Sequence, residues 1–224
     1  MDETTVPFMS GAVYAVAVDF KRPVEAVVPG AQGRILAALV ETSAELNLRT
    51  IARLSDVSVA HASRVLPVLV ELGMVERRDV PPSALFRFVP ENVASRAVAH
   101  LADARRTVLG EVGETAGKLE PAPSSVVVFG SLARGEADRE SDIDVVFVRP
   151  SAVGEEDPDW RAGIERWIDH AQRLTGNHVE VLEVSEGEIA RLLRSRKQLW
   201  LDVQRDGIVV HGRSIDDLQG RRSA

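Results

Sequence analysis

The stretch Phe129-Gly130-Ser131-Leu132-Ala133-Arg134-Gly135, followed by Ser141-Asp142-Ile143-Asp144-Val145-Val146-Phe147-Val148, decides how the chain is read. A Gly-Ser pair closes one apolar run, and two aspartates one residue apart open a second. Alternate residues of a strand share a face. Asp142 and Asp144 therefore project on one side, while Ile143 and Val145 enter a core. Two carboxylates held side by side repel each other unless a cation lies between them. Magnesium takes oxygen ligands and usually shares them with substrate phosphates. Gly130 and Ser131 offer bare backbone N–H groups and a hydroxyl at an expected helix start, where a phosphate is favoured. A phosphate cradle beside a cation clamp points to chemistry on a nucleoside triphosphate.

The same stretch resembles the signature of the DNA polymerase beta-type nucleotidyltransferase superfamily, in particular its small bacterial minimal branch. That signature is an apolar residue, Gly, then Gly or Ser, a gap of about ten residues, and Asp-x-Asp in a strand. Gly130, Ser131, Asp142 and Asp144 match it, and Arg134-Gly135 and Ser141 match the branch's usual wording. The resemblance implies Mg2+ on Asp142 and Asp144, with ATP as substrate and AMP transferred to an acceptor hydroxyl. It also implies a third carboxylate on a neighbouring strand. Glu180, in His178-Val179-Glu180-Val181, is the candidate to complete the metal site or accept the acceptor's proton. The family usually carries Asp at this place. Glu183 falls on the opposite face. Arg134 either pairs with a phosphate or lies on the helix surface. Small relatives act as antitoxins that modify a partner protein, and this chain's size fits them.

Upstream, a second pattern appears. Ile35, Leu36, Leu39 and Val40 form an apolar helical stripe. Leu48–Leu54 reads as a short helix with Thr50 as its cap, and 55–57 as a turn. Ser58 is placed to cap a third helix carrying Val65, Leu66, Leu69 and Leu72 and ending at Gly73. Pro67 inside it removes a backbone donor and is expected to bend it. Residues 74–78 and 85–89 flank Pro81-Pro82 as a hairpin. Helix, helix, turn, helix and wing is the order of a winged helix-turn-helix domain. The wording of residues 69–77, Leu-Val-Glu-Leu-Gly-Met-Val-Glu-Arg, resembles MarR-like bacterial regulators. Ser58, His61 and Arg64 then stand where a recognition helix meets DNA, with Arg77 and Arg78 on the wing. Between Gln32 and Val89 seven arginines face six acids, a net charge of about +1 and a weak drive for counterion release. Dimerisation or partner docking is thus an open alternative, and a homodimer fits a winged helix.

The remaining chain alternates helical and extended patterns. Residues 91–119 read as one helix, with Gly110, Gly113 and Gly117 marking a break or a close contact. Pro121-Ala122-Pro123 ends it. Strands are expected at 125–129, 143–148, 178–184 and 207–211, and the apolar run over 13–20 allows a further one. A helix runs from Trp160 to Gly176, and another from Ser185, with capping-box spacing to Glu188, to about Val203. The fold class is α/β (α+β): an N-terminal segment to 28, a winged helix-turn-helix domain over 29–92, a helical linker over 93–120, and a small nucleotidyltransferase α/β domain over 121–224.

Composition bounds the rest. The 224 residues carry a net charge of −7 and no cysteine. The charge argues against general nucleic-acid binding by the whole chain. The missing cysteine excludes a disulfide framework or thiolate metal site and fits a cytoplasmic protein. The acidic start is unlike a signal peptide, and the apolar run over 11–18 stops at Asp19, short of a membrane span. Two functions remain in view: a nucleotidyltransferase, or a DNA-binding regulator whose nucleotidyltransferase fold senses nucleotide or docks a partner without turnover.

Overall fold

Side-chain caps set where two of the N-terminal helices begin. The structure is a computed structural model and describes residues 17–220. Its first part contains α1 (Pro23–Val27), α2 (Ala31–Val40), β1 (Leu46–Asn47), α3 (Leu48–Leu54), α4 (Val59–Glu71), β2 (Val75–Val80) and β3 (Ser83–Phe88). Ser58 Oγ accepts from His61 N at 3.1 Å and starts α4. At α3 the cap is Asn47, whose Oδ1 accepts from Thr50 N at 2.9 Å; Thr50 is the donor in the first turn, not the cap. α4 runs unbroken through Pro67, because Pro67 and Ser63, whose carbonyl loses its partner, both face solvent. Ala62, Leu66 and Leu69 bury its inner face, but Leu72, expected in that stripe, sits at the C-cap and is exposed. The strands form one antiparallel sheet in the order β1-β3-β2.

The helical run after the wing divides. α5 (Val93–Ala102) and α6 (Ala104–Gly117) meet at Asp103, and the glycines do not break the helix. Gly113 instead allows contact with the sheet: a Cβ there would fall on the Val210 carbonyl, and one on Gly117 would meet the His211 ring. α5 buries Val98 with α2, α4 and the wing, whereas α6 buries Val108, Val112 and Ala116 against the C-terminal sheet. The segment expected as a linker is therefore shared between two cores.

That sheet is built from β4 (Ser125–Phe129), β5 (Ile143–Arg149), β6 (Val179–Ser185) and β7 (Ile208–Gly212) in the order β6-β5-β4-β7. β5 and β6 are parallel; β4 is antiparallel to both β5 and β7. Between them lie α7 (Gly130–Arg134), α8 (Pro158–Thr175), α9 (Glu186–Leu193) and α10 (Gln198–Asp206), and α11 (Ile215–Leu218) follows β7. The helix expected to run from 185 to 203 is two helices, separated at residues 194–197, and α11 and β1 were not foreseen. The sheet is covered on both faces. Val126, Val128, Ile143, Val145 and Phe147 pack on α6 and α8, with Trp160 and Trp167 edge-on to Phe147. Val127, Val146, Val148 and Val184 pack on α9, α10 and α11.

Of the strand expected over 13–20, residues 13–16 lie outside the described part, and 17–20 form no strand. They strap the chain to the second core instead, through Val18 N to Thr175 O at 2.9 Å, Lys21 N to Ala137 O at 2.8 Å, and the buried Phe20. The protein is α/β, a winged helix-turn-helix part followed by an α/β part.

Candidate functional site

β5 carries the acids where its period of two requires. Ile143 and Val145 are buried on the α8 side, so Asp144 shares the α10 side with Val146. Asp142 stands one residue before the strand and is exposed. Parallel pairing with β6 sets Asp144 opposite Glu180, and Val179 and Val181 pack into the α8-side core. Glu180 therefore lies on the same face as Asp144. Glu183 is on the other face and is held by Arg149, with Nε to Oε1 at 2.6 Å.

Antiparallel pairing with β4 sets Phe129 opposite Asp144, which brings Gly130 against the aspartate. Gly130 has φ +70°, and a Cβ on it would fall on the Asp144 carboxylate. Only glycine meets both conditions. Gly130 opens the short helix α7, with Ser131 in its first turn, and the helix is capped by Gly135 at φ +74°. The Asp144 carboxyl is pushed above the usual aspartate range, first by burial, then by the charges of Glu180 and Asp142, while Arg134 pulls it back. Asp144 thus feels the charge of both neighbouring acids. A cation between them would relieve that repulsion, and the donors are all hard oxygens, which fits magnesium shared with a triphosphate. Among the described residues no three His, Asp or Glu side chains already form a metal-sized cage.

Two residues that the sequence reading missed support this corner. Arg105, on α6, donates Nε to Leu132 O at 2.6 Å and Nη2 to Ala133 O, closing the C-terminal end of α7. Asp206, at the end of α10, accepts from Arg134 Nη1 at 3.5 Å, and Glu136 accepts from Arg134 Nε at 2.8 Å. Arg134 is thus held beside the acids and already paired with carboxylates. Local spacing gives no signal for either contact, because the partners are 27 and 72 residues apart. His178 Nδ1 is 3.5 Å from Asp142 Oδ1.

The residues expected to face DNA are less free. The Ser58 hydroxyl is engaged as the α4 cap, and His61 and Arg64 are exposed on that helix. Arg77 pairs with Asp79 at 2.7 Å. Arg78 grips Glu45 with two bonds, Nε to Oε1 at 2.9 Å being one. Arg87 pairs with Glu76 at 2.7 Å. Among the described residues Arg49, Arg53 and Arg64 form no ion pair; Arg64 Nε donates to Ala60 O at 3.3 Å. An open groove between α4 and the wing is lined by Val59, Leu66, Pro67, Phe86, Arg49 and Arg77.

Comparison with known families gives two matches. Residues 109–212 match the nucleotidyltransferase domain family, and residues 33–79 match the IclR helix-turn-helix domain. The chain thus carries a nucleotidyltransferase domain behind a helix-turn-helix domain, and the matching helix-turn-helix type is IclR. The first match starts inside α6, in agreement with the packing of that helix on the C-terminal sheet. No curated protein matches the chain. Among solved structures, a candidate nucleotidyltransferase from Sulfolobus solfataricus is 23% identical over 48% of this chain and 82% of its own, with a TM-score of 0.31. The archaeal chromatin protein TrmBL2 is 18% identical over 80% of this chain and 73% of its own, with a TM-score of 0.29. Likenesses at this level assign no activity. Among the described residues no helix is long and apolar enough to cross a membrane.

Proposed function

We propose that the chain is a magnesium-dependent nucleotidyltransferase that moves AMP from ATP to an acceptor hydroxyl on a partner protein. The observation that supports it most is the register of Asp144 against Glu180, with Gly130 backed onto the Asp144 carboxylate. Asp142, Asp144 and Glu180 would hold the metal. When bound, magnesium supplies charge neutralisation on the triphosphate. Gly130 and Ser131 bind phosphate oxygens through backbone N–H groups and the Ser131 hydroxyl. Arg134 lies close enough to Asp144 to lower its pKa and is poised to pair with a phosphate. Glu180 takes the proton of the acceptor hydroxyl, whose oxygen bonds to the α-phosphorus as the bond to pyrophosphate breaks. Asp142→Asn tests this: radiolabel transfer from ATP should fall at least a hundredfold with the circular dichroism spectrum unchanged. Undiminished transfer rejects the metal role.

A second reading has its own support in the helix-turn-helix match and in Arg49, Arg53 and Arg64, which form no ion pair among the described residues. In it the protein is a DNA-binding regulator whose nucleotidyltransferase fold senses nucleotide or docks a partner. A gel shift with the promoter of its own gene, together with no transfer under any nucleotide, favours it.

A further inference from the structure

The loop from Glu136 to Asp142 delivers the first carboxylate, and its hydrogen bonds converge on one buried side chain. Within the loop, Asp138 Oδ1 accepts from Glu140 N at 3.0 Å and from Ser141 Oγ at 2.9 Å, and Asp138 N donates to Ser141 Oγ at 3.0 Å. The two carbonyls at the ends of this turn, Asp138 O and Ser141 O, both accept from Asn177 Nδ2, at 3.0 and 2.9 Å. Asn177 is 3% exposed and lies two residues before β6. Its neighbour His178 accepts from Ile143 N at 2.8 Å. Asp142 is therefore bracketed: Ser141 O is tied to Asn177 and Ile143 N to His178. The same segment leads directly to Glu180.

The chemistry selects this side chain. Two carbonyl oxygens converge on one nitrogen, so the position calls for an NH2 donor that offers both hydrogens. Asn177 Oδ1 has no partner among the described residues, so the carboxamide is held there through its donor end. A carboxylate in its place would face two carbonyls with no proton to share.

We propose that Asn177 is a positioning residue that sets the distance between Asp142 and the Glu180 strand for binding of a divalent cation with a nucleoside triphosphate. The inference rests on the reading of Asp142, Asp144 and Glu180 as metal ligands. It does not require turnover.

The test is calorimetric binding of ATP with Mn2+ to the full chain as wild type, Asn177→Ala, Asn177→Ser and Trp167→Phe. Trp167→Phe removes a buried hydrogen bond to Val112 O from the same core without touching the loop. Asn177→Ala should bind at least tenfold more weakly, with the loss relieved as Mn2+ is raised. Asn177→Ser, which retains one donor and removes less of the clamp, should fall about threefold and serves if the alanine variant does not fold. Trp167→Phe should stay within twofold of wild type. Wild-type affinity in the Asn177 variants overturns the proposal, as does an equal loss in Trp167→Phe. Absence of binding in the wild type itself overturns the proposed function, and this inference with it.

Discussion

Asp144 is the residue whose environment and proposed task pull in opposite directions. Its folded-state pKa is raised by burial and by Glu180 and Asp142. A raised carboxyl stabilises the fold at low pH, and that contribution is lost as pH rises through the folded-state pKa. Asp144→Asn should therefore raise the Tm of the metal-free protein by about 2 °C at pH 7. The gain should shrink toward pH 3, where wild-type Asp144 is also neutral; a constant gain rejects the electrostatic cause. At Gly130 the constraints are steric. Gly130→Ala places a methyl group on the Asp144 carboxylate at φ +70° and should cost about 1–3 kcal/mol in denaturant unfolding. At the winged helix, Glu45→Gln releases Arg78 and removes one negative charge. The DNA affinity in a low-salt gel shift should rise roughly threefold. The sequence displayed Arg78 as a cation on the wing, but Glu45 lies 33 residues away, and nothing local announced the pairing.

At the scale of elements, α6 matters most. Its glycines read equally well as a break or as a close contact, because glycine serves both. The structure decides for contact, since β7 runs along the helix and the Val210 carbonyl occupies the space of a Gly113 side chain. Gly113→Ala should push α6 off the sheet and lower stability by about 1–3 kcal/mol, measured by urea unfolding. Arg105, two residues from the junction at Asp103, also ties α6 to the end of α7. The elements with strong local signals emerged as read: β4, β5, α8 with its Gly176 cap at φ +73°, and the capping box of Ser185 and Glu188. Those without such signals did not. The gap at 194–197 and the two-residue β1 depend on packing, not on periodicity.

At the scale of the molecule, the chain has two principal cores bridged by α5 and α6, and it crosses between them once more where Phe20 enters one and Val24 the other. Its charge is −7, and the helix-turn-helix part offers Arg49, Arg53 and Arg64 outside ion pairs among the described residues. Three phosphate contacts imply a shallow salt dependence. The slope of log K against log salt should be about −3 per protomer in a fluorescence titration with duplex DNA. A slope several times steeper would mean that the wing ion pairs open on binding.

By itself the sequence determined the order of elements, the two-part α/β plan and the presence of Asp142 and Asp144 beside a Gly-Ser step. Those features follow from periodicity, caps and side-chain chemistry, which act over a few residues. Only the tertiary structure decided that Glu180 stands opposite Asp144, that Asn177 brackets Asp142, and that Arg78 is tied to Glu45. These contacts join residues 33 to 39 apart. Strand partnership and helix packing create them, because each face of the sheet must be buried before any such pair can meet.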